Sequence, residues 1–235
     1  MKKILYLAAT ALLCASCFHV NSNYKGGSFS IGGKDAIKGE GTVVTKSFDD
    51  LTGFDQIVVN GGSDAVFTQG ETFNVTLRTQ ENVFDHLDYR VEGTKLILET
   101  KNKVGIRAEE FDLTIQAPML KGITVNGAGD FDIKGGMVSE EDFDIEINGA
   151  GDFDFDSVRC RDFSIRVNGA ADMDLDNVDV QKLKVEINGA GDVTIGGKAV
   201  DASLAVNGAG GIDARGLKVS GNVNKRAAGI AKIQL

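Results

Sequence analysis

A six-residue motif that returns about every 20 residues constrains this chain more than any other feature, because a repeat of that period has few folds open to it. Val125-Asn126-Gly127-Ala128-Gly129-Asp130 recurs as Ile147-Asn148-Gly149-Ala150-Gly151-Asp152, Val167-Asn168-Gly169-Ala170-Ala171-Asp172, Ile187-Asn188-Gly189-Ala190-Gly191-Asp192 and Val206-Asn207-Gly208-Ala209-Gly210-Gly211. The copies are nearly evenly spaced, as Asn126, Asn148, Asn168, Asn188 and Asn207 show. A looser copy, Val59-Asn60-Gly61-Gly62-Ser63-Asp64, lies well upstream of Asn126, and Val223-Asn224 reads as the start of a degenerate last coil. A period of this length matches one winding of a β-solenoid or one leucine-rich repeat. The second reading fails because the leucine pattern and helix-favouring stretches are both missing between the copies.

Each repeat alternates with period two on both sides of its Asn-Gly corner, as half-buried strands do. Phe143, Ile145 and Ile147 share one face before the corner and Phe153 and Phe155 one face after it, while Asp142, Asp144, Glu146, Asp152, Asp154 and Asp156 point the other way. Phe163, Ile165, Val167, Met173 and Leu175 repeat that register, with Asp172, Asp174 and Asp176 outward. The expected fold is therefore all-β, a parallel β-helix or β-solenoid with coils of about 20 residues. The turn set is Asn126, Gly127, Gly129, Asn148, Gly149, Gly151, Asn168, Gly169, Asn188, Gly189, Gly191, Asn207, Gly208 and Gly210. Gly and Asn tolerate left-handed backbone, so they are expected to turn the chain sharply, with Ala facing the narrow edge of the core. Stacked Asn amides are expected to bond to one another as a ladder.

Upstream, Val43-Val44, Ile57-Val58-Val59, Ala65-Val66-Phe67 and Phe73 to Leu77 are strand candidates. Residues 82–87 read as a helical turn, and Tyr89-Arg90-Val91 with Leu96-Ile97-Leu98 as a hairpin. Residues 42–120 form an entry half that caps the repeats of residues 121–235. Residues 18–41, rich in Gly, Ser, Asn and Lys, read as a flexible tether. Residues 1–17 read as a secretion signal: Lys2 and Lys3 precede an apolar run, Ile4 to Leu13, too short to span a bilayer. Leu13-Cys14-Ala15-Ser16-Cys17 resembles a bacterial lipobox, with Cys14 standing where the pattern has Leu. That resemblance implies lipidation at Cys17 and an outer-membrane lipoprotein, on the periplasmic face or the cell surface.

The entry segment Gly53 to Gly70 and the Gly-Ala-Gly-Asp turns together resemble the head GIN domain family, the putative auto-transporter adhesins of Gram-negative bacteria. The resemblance spans roughly Thr42 to Leu235. It implies a right-handed, pectin-lyase-like β-helix without recognised catalytic residues and with a role in adhesion.

Composition removes several function classes. The net charge is −9, and losing Lys2 and Lys3 with the signal makes it more acidic, so a nucleic acid is not an expected partner. Of three Cys only Cys160 falls in the folded part, so neither a disulfide framework nor a Cys/His metal site is expected, and His19 and His86 stand alone. The outward Asp rows are the one concentration of reactive side chains. Asp152, Asp154, Asp172 and Asp174 are candidate calcium ligands, and the rows also suggest the paired carboxylates of a glycoside hydrolase. A solvated acidic face, relieved by Lys134, Arg159, Arg161, Arg166 and Lys184, matches the repeat better, because calcium-binding nonapeptides place their Asp one position away and at a different spacing. A catalytic site is a single constellation, whereas these carboxylates recur in every coil. No catalytic residue and no cofactor is expected. The reading is a non-catalytic adhesin or binding scaffold, monomeric or homo-oligomeric, with a protein or glycan ligand. The alternatives are a carbohydrate-binding or polysaccharide-cleaving β-helix and a periplasmic assembly or stress accessory.

Overall fold

The computed structural model of the chain describes residues 29–31 and 36–235. The expected signal with Cys17, and residues 18–28 and 32–35 of the expected tether, lie outside the described residues. The fold is all-β. The entry half holds β1 (Phe29–Ile31), β2 (Ile37–Lys38), β3 (Val43–Ser47), β4 (Gln56–Gly62), β5 (Ala65–Gln69), β6 (Asn74–Gln80), β7 (Leu87–Glu92), β8 (Lys95–Thr100), β9 (Ile106–Ala108) and β10 (Phe111–Ala117). A short 3-10 helix, Glu81–His86, joins β6 to β7 where the helical turn was expected. The repeats hold β11 (Gly122–Ala128), β12 (Phe131–Lys134), β13 (Met137–Val138), β14 (Phe143–Phe155), β15 (Val158–Arg159), β16 (Asp162–Val219) and β17 (Val223–Gln234).

Identical repeat positions stack on one another. β11 pairs in parallel with β4 on one side and β14 on the other, setting Asn126 opposite both Asn60 and Asn148. β14 continues onto β16, with Phe143 opposite Phe163 and Phe153 opposite Met173, and β16 onto β17. The looser copy at Asn60 is thus a full rung of the stack, although a long excursion of the chain separates it from the next. At the far end β17 begins at Val223-Asn224, as expected; Asn224 lies beside Ser203, and Ala228 occupies the corner position opposite Asn207.

Burial follows the alternation. Phe131, Phe143, Phe153, Phe155 and Phe163 are fully buried with the Ile and Val of the same columns. The rings of Phe143 and Phe163 stack with centroids 5.3 Å apart. Burying one such ring stabilises by about 2 kcal/mol, and a one-residue slip would bring every Asp inward, so the register is locked by the core.

The expected parallel β-helix is corrected to a mixed sheet by the pairing in the entry half. β3 with β6, β6 with β10 and β7 with β8 are antiparallel, while β10 with β5 and β8 with β4 are parallel, so the main sheet is mixed, curled and open. The two-residue loop at Gly93-Thr94 between β7 and β8 is too short for a crossover, which parallel pairing requires. The expected tether is corrected in part: β1 and β2 flank β9 in a small three-stranded sheet. Phe48, Phe84 and Tyr89 close the entry end, with ring centroids 6.4 and 5.4 Å from Phe48, and the Lys46 ammonium sits 4.3 Å from the Phe84 ring.

The corners work differently from the expected turns. β14 runs unbroken through Asn148-Gly149-Ala150-Gly151, so the corner bends a continuous strand instead of joining two. Among the described residues the only non-glycine positive φ values are at Asn102 and Lys103, so the corner Asn residues are not left-handed. Glycine is required there by proximity and, at Gly127, Gly189 and Gly208, also by the expected positive φ. A Cβ on Gly149 would lie 1.7 Å from the Gly127 carbonyl oxygen, and one on Gly169 2.0 Å from that of Gly149. The Asn side chains link the rungs instead. Each Nδ2 donates to the Oδ1 of the rung before it, from Asn126 to Asn60 (3.0 Å), Asn148 to Asn126 (3.0 Å), Asn168 to Asn148 (2.9 Å), Asn188 to Asn168 (3.1 Å) and Asn207 to Asn188 (3.0 Å).

Two substitutions at one corner separate these effects. Asn168→Ala removes two exposed amide bonds and is expected to lower unfolding stability by about 1 kcal/mol. Gly169→Ala must push one rung off another and is expected to cost about 3 kcal/mol. Chemical denaturation of both variants checks the order, and an equal loss would remove the distinction.

Candidate binding groove

Past each corner the motif's Asp meets a backbone need. The Asp64 Oδ1 accepts from the Asp130 N–H, the Asp130 Oδ1 from the Asp152 N–H and the Asp172 Oδ1 from the Asp192 N–H, each at 3.0 Å. A short acceptor side chain at this place satisfies a backbone donor of the next rung, as Asp does in turns. One row therefore runs Asp64, Asp130, Asp152, Asp172, Asp192. A second, Asp132, Asp154, Asp174, lies two residues on along the same face.

Beside the first row the corner Ala side chains line a long shallow groove of about 690 Å3. Ala150, Ala170, Ala190 and Ala209 form its floor, the Asp row forms one wall, and Ile230 of β17 stands at its end. Ala170 and Ala190 are exposed, which corrects the expectation that these methyls face the core; only Ala128, in the first full repeat, is buried. A second groove of about 580 Å3 lies on the other side of the Asp row and is walled by both carboxylate rows. With rungs about 4.8 Å apart, the methyl floor presents an evenly spaced apolar strip open to solvent.

Charge along this face is relieved unevenly. Lys134 reaches Asp154 at 3.2 Å, Asp132 at 3.7 Å and Asp156 at 3.8 Å. The other expected cations serve elsewhere: Arg159 meets Asp179, Arg161 meets Asp142, and Arg166 and Lys184 both meet Glu186. Among the described residues Asp172, Asp174, Asp176 and Asp192 make no ion pair. At the entry rung, burial and then the like charges of Asp130 and Asp132 push the Asp64 carboxyl up to about 6, against the pull of its backbone hydrogen bond. Burial raises Asp130 and Asp132 as well.

The calcium candidates Asp152, Asp154, Asp172 and Asp174 stand in two columns of this face, and among the described residues no three His, Cys, Asp or Glu side chains converge as a metal site. Cys160 is buried, its thiol donating to the Asp162 carbonyl at 3.5 Å; burial, then the nearby Asp142 and Asp162 charges, push it up to about 12. His86 ends the 3-10 helix, away from both grooves. Reading the sequence missed Ala150, Ala170, Ala190, Ala209 and Ile230 as lining residues. The available signal was a small apolar side chain held at one slot of every copy.

The model of the family described as putative auto-transporter adhesin, head GIN domain, matches residues 53–235. The chain belongs to this family. The head GIN fold is also met in solved structures. A putative adhesin from Bacteroides fragilis is 22% identical over 84% of this chain and 99% of its own, with a TM-score of 0.69. A putative lipid binding protein from Parabacteroides distasonis is 18% identical, covering 85% and 100%, with a TM-score of 0.73. A putative adhesin from the same organism is 19% identical, covering 85% and 99%, also at 0.73. No curated relative matches the chain. Among the described residues no helix is long and apolar enough to cross a membrane.

The carboxylate row makes stability depend on pH at a known rung. The folded state holds the Asp64 proton more tightly than the unfolded chain, so this group's penalty is absent below pH 3.8 and grows as pH rises to about 6. Asp64→Asn keeps an acceptor for the Asp130 N–H and is expected to stabilise by about 1 to 2 kcal/mol at pH 7, the shift being discounted for partial exposure. Melting curves across pH should show the gain vanish in acid; a gain independent of pH would refute the cause. Lys134→Met should lower stability by up to about 1 kcal/mol, and in this variant added salt should restore part of it by screening the freed carboxylates.

Proposed function

We propose that this head GIN protein is a non-catalytic adhesin or binding scaffold of the cell envelope. In this reading the signal directs export, a lipidated Cys17 anchors the chain to the outer membrane, and the repeat stack winds as a β-solenoid whose corner groove binds an extended ligand. The observation that carries the reading is the groove itself: its lining of Ala150, Ala170, Ala190, Asp152, Asp172 and Asp192 repeats from rung to rung. A repeating strip suits a repeating ligand, such as a polysaccharide or an extended peptide, whereas turnover needs unlike groups converging at one place. The fold shared with putative adhesins supports the reading by analogy.

The groove also selects by charge. Asp172 and Asp192 lie on its wall without a cation, so an acidic glycan would bring like charges together in a shallow apolar strip. The ligand class is therefore a neutral or amino-bearing glycan, or a basic extended protein segment.

Ala170→Arg with Ala190→Arg fills the strip at two exposed positions. The expected result on a glycan array and against basic peptides is loss of wild-type binding with an unchanged melting temperature. Binding that survives the double substitution, or cleavage of any bound glycan in matched turnover assays, would overturn the reading.

A further inference from the structure

We propose that the last winding docks end-on against the entry end of a second copy of this chain, head to tail. The contact is separate from the groove and does not rest on its reading. β17 is hydrogen-bonded to β16 along one side, and among the described residues no strand pairs with its other side. Every residue from Ser220 to Ile230 is exposed. Ile230 is 87% exposed and Val223 45%, although Val223 continues a column whose members Phe143, Phe163 and Ala202 are buried. An open edge of this length, with an apolar side chain standing free on it, is a template for another chain.

Charge decides which chain. From Ala214 to Leu235 there are five basic residues and no Asp or Glu, in a protein of net charge −9. Arg215 is held by Asp213, but Lys218, Lys225, Arg226 and Lys232 make no ion pair among the described residues. Two such ends repel each other, which disfavours two-fold pairing of β17 with β17. The entry end has the opposite sign. Residues 40–50 hold three acidic side chains and one basic, and residues 81–103 hold five acidic side chains and four basic ones, Arg90, Lys95, Lys101 and Lys103, so the two segments together are net negative. Arg90 is already engaged by Asp88, Glu92 and Glu99.

The strand directions allow the contact. β3 and β7 are the outermost strands at the entry end. Through β8, β4, β11, β14 and β16, β7 runs opposite to β17, so a second copy displaced along the stack would offer β17 an antiparallel neighbour. A head-to-tail contact is heterologous, so it can repeat and build a row of copies.

Charge reversal tests this with the full chain held in mild detergent. Sedimentation should show concentration-dependent association at low ionic strength that is lost at high salt. A tail variant, Lys225→Glu with Arg226→Glu and Lys232→Glu, should not associate alone. An entry variant, Asp49→Lys with Asp50→Lys and Glu92→Lys, should also stay monomeric. Mixing the two should restore association, because each then meets an end of opposite sign. If a reversed variant melts below wild type, neutral versions, Lys225→Gln with Arg226→Gln and Lys232→Gln, should weaken association at least several-fold. A wild-type chain that stays monomeric at low salt, even one that binds anionic vesicles or acidic peptides, overturns the proposal. So does association untouched by the substitutions, or a mixture that fails to associate.

Discussion

The fold depends on how closely successive repeat strands approach at their corners. Where Gly127, Gly149, Gly169, Gly189 and Gly208 stack, the carbonyl of one rung occupies the space that a Cβ of the next would need. Backbone meets backbone there, and excluded volume acts together with the positive φ of Gly127, Gly189 and Gly208. It explains why the same position is Gly in every full copy while the residue two places before it varies between Val and Ile. It also fixes the register independently of the core, because a rung displaced by one residue would bring Asn or Ala against that carbonyl. Phenylalanine stacking at one wall and glycine contact at the corner therefore specify the same alignment, and this agreement between levels gives a repeat a single native state.

The surface chemistry follows from that close approach. Asn beside the glycines is near enough to its neighbour for amide to meet amide, and Asp after them is near enough to take up a backbone N–H. Both are structural uses of polar side chains, and both leave their outer atoms in water. Ala, placed between them, turns outward because the bend at the corner points that side chain away from the core. The groove is the consequence of a corner built from the smallest side chains, and its acidic wall is the consequence of solving a hydrogen-bond problem with Asp. The price appears as repulsion along the row, largest at Asp64, where burial removes the water that would screen it.

The repeats were legible in the sequence because their alternation and their corner motif recur together. Phe143, Ile145 and Ile147 announce an inward face, and Asn-Gly-Ala-Gly announces its end. The reason for the corner was not legible. Glycine is permissive in φ and also absent in volume, and a sequence does not separate the two; only the position of the Gly127 carbonyl under Gly149 does. The entry half was read as strands without an order. β10 carries a clear alternation in Phe111, Leu113, Ile115 and Ala117, yet its place between β5 and β6 depends on contacts made far along the chain. The groove was missed for a related reason: alanine fits a core and an exposed strip equally well, and the direction in which it points is set by the bend.

The two ends of the stack solve the same problem in different ways. A stack of rungs leaves its first and last members uncovered, and the entry end is closed by its own aromatic side chains, Phe48, Phe84 and Tyr89. At the other end the core narrows instead. The column running Ile145, Ile165, Val185 and Leu204 ends in Lys225, and the column running Ile147, Val167, Ile187 and Val206 ends in Ala227. Replacing apolar side chains by Lys and Ala on the last rung reduces the surface left to hide, and the Lys discourages unselective strand addition. The same replacement concentrates positive charge on an otherwise acidic molecule. A feature that protects the end from any strand thereby makes it receptive to a negatively charged one, and the acidic rim around the aromatic plug is such a surface within the same chain.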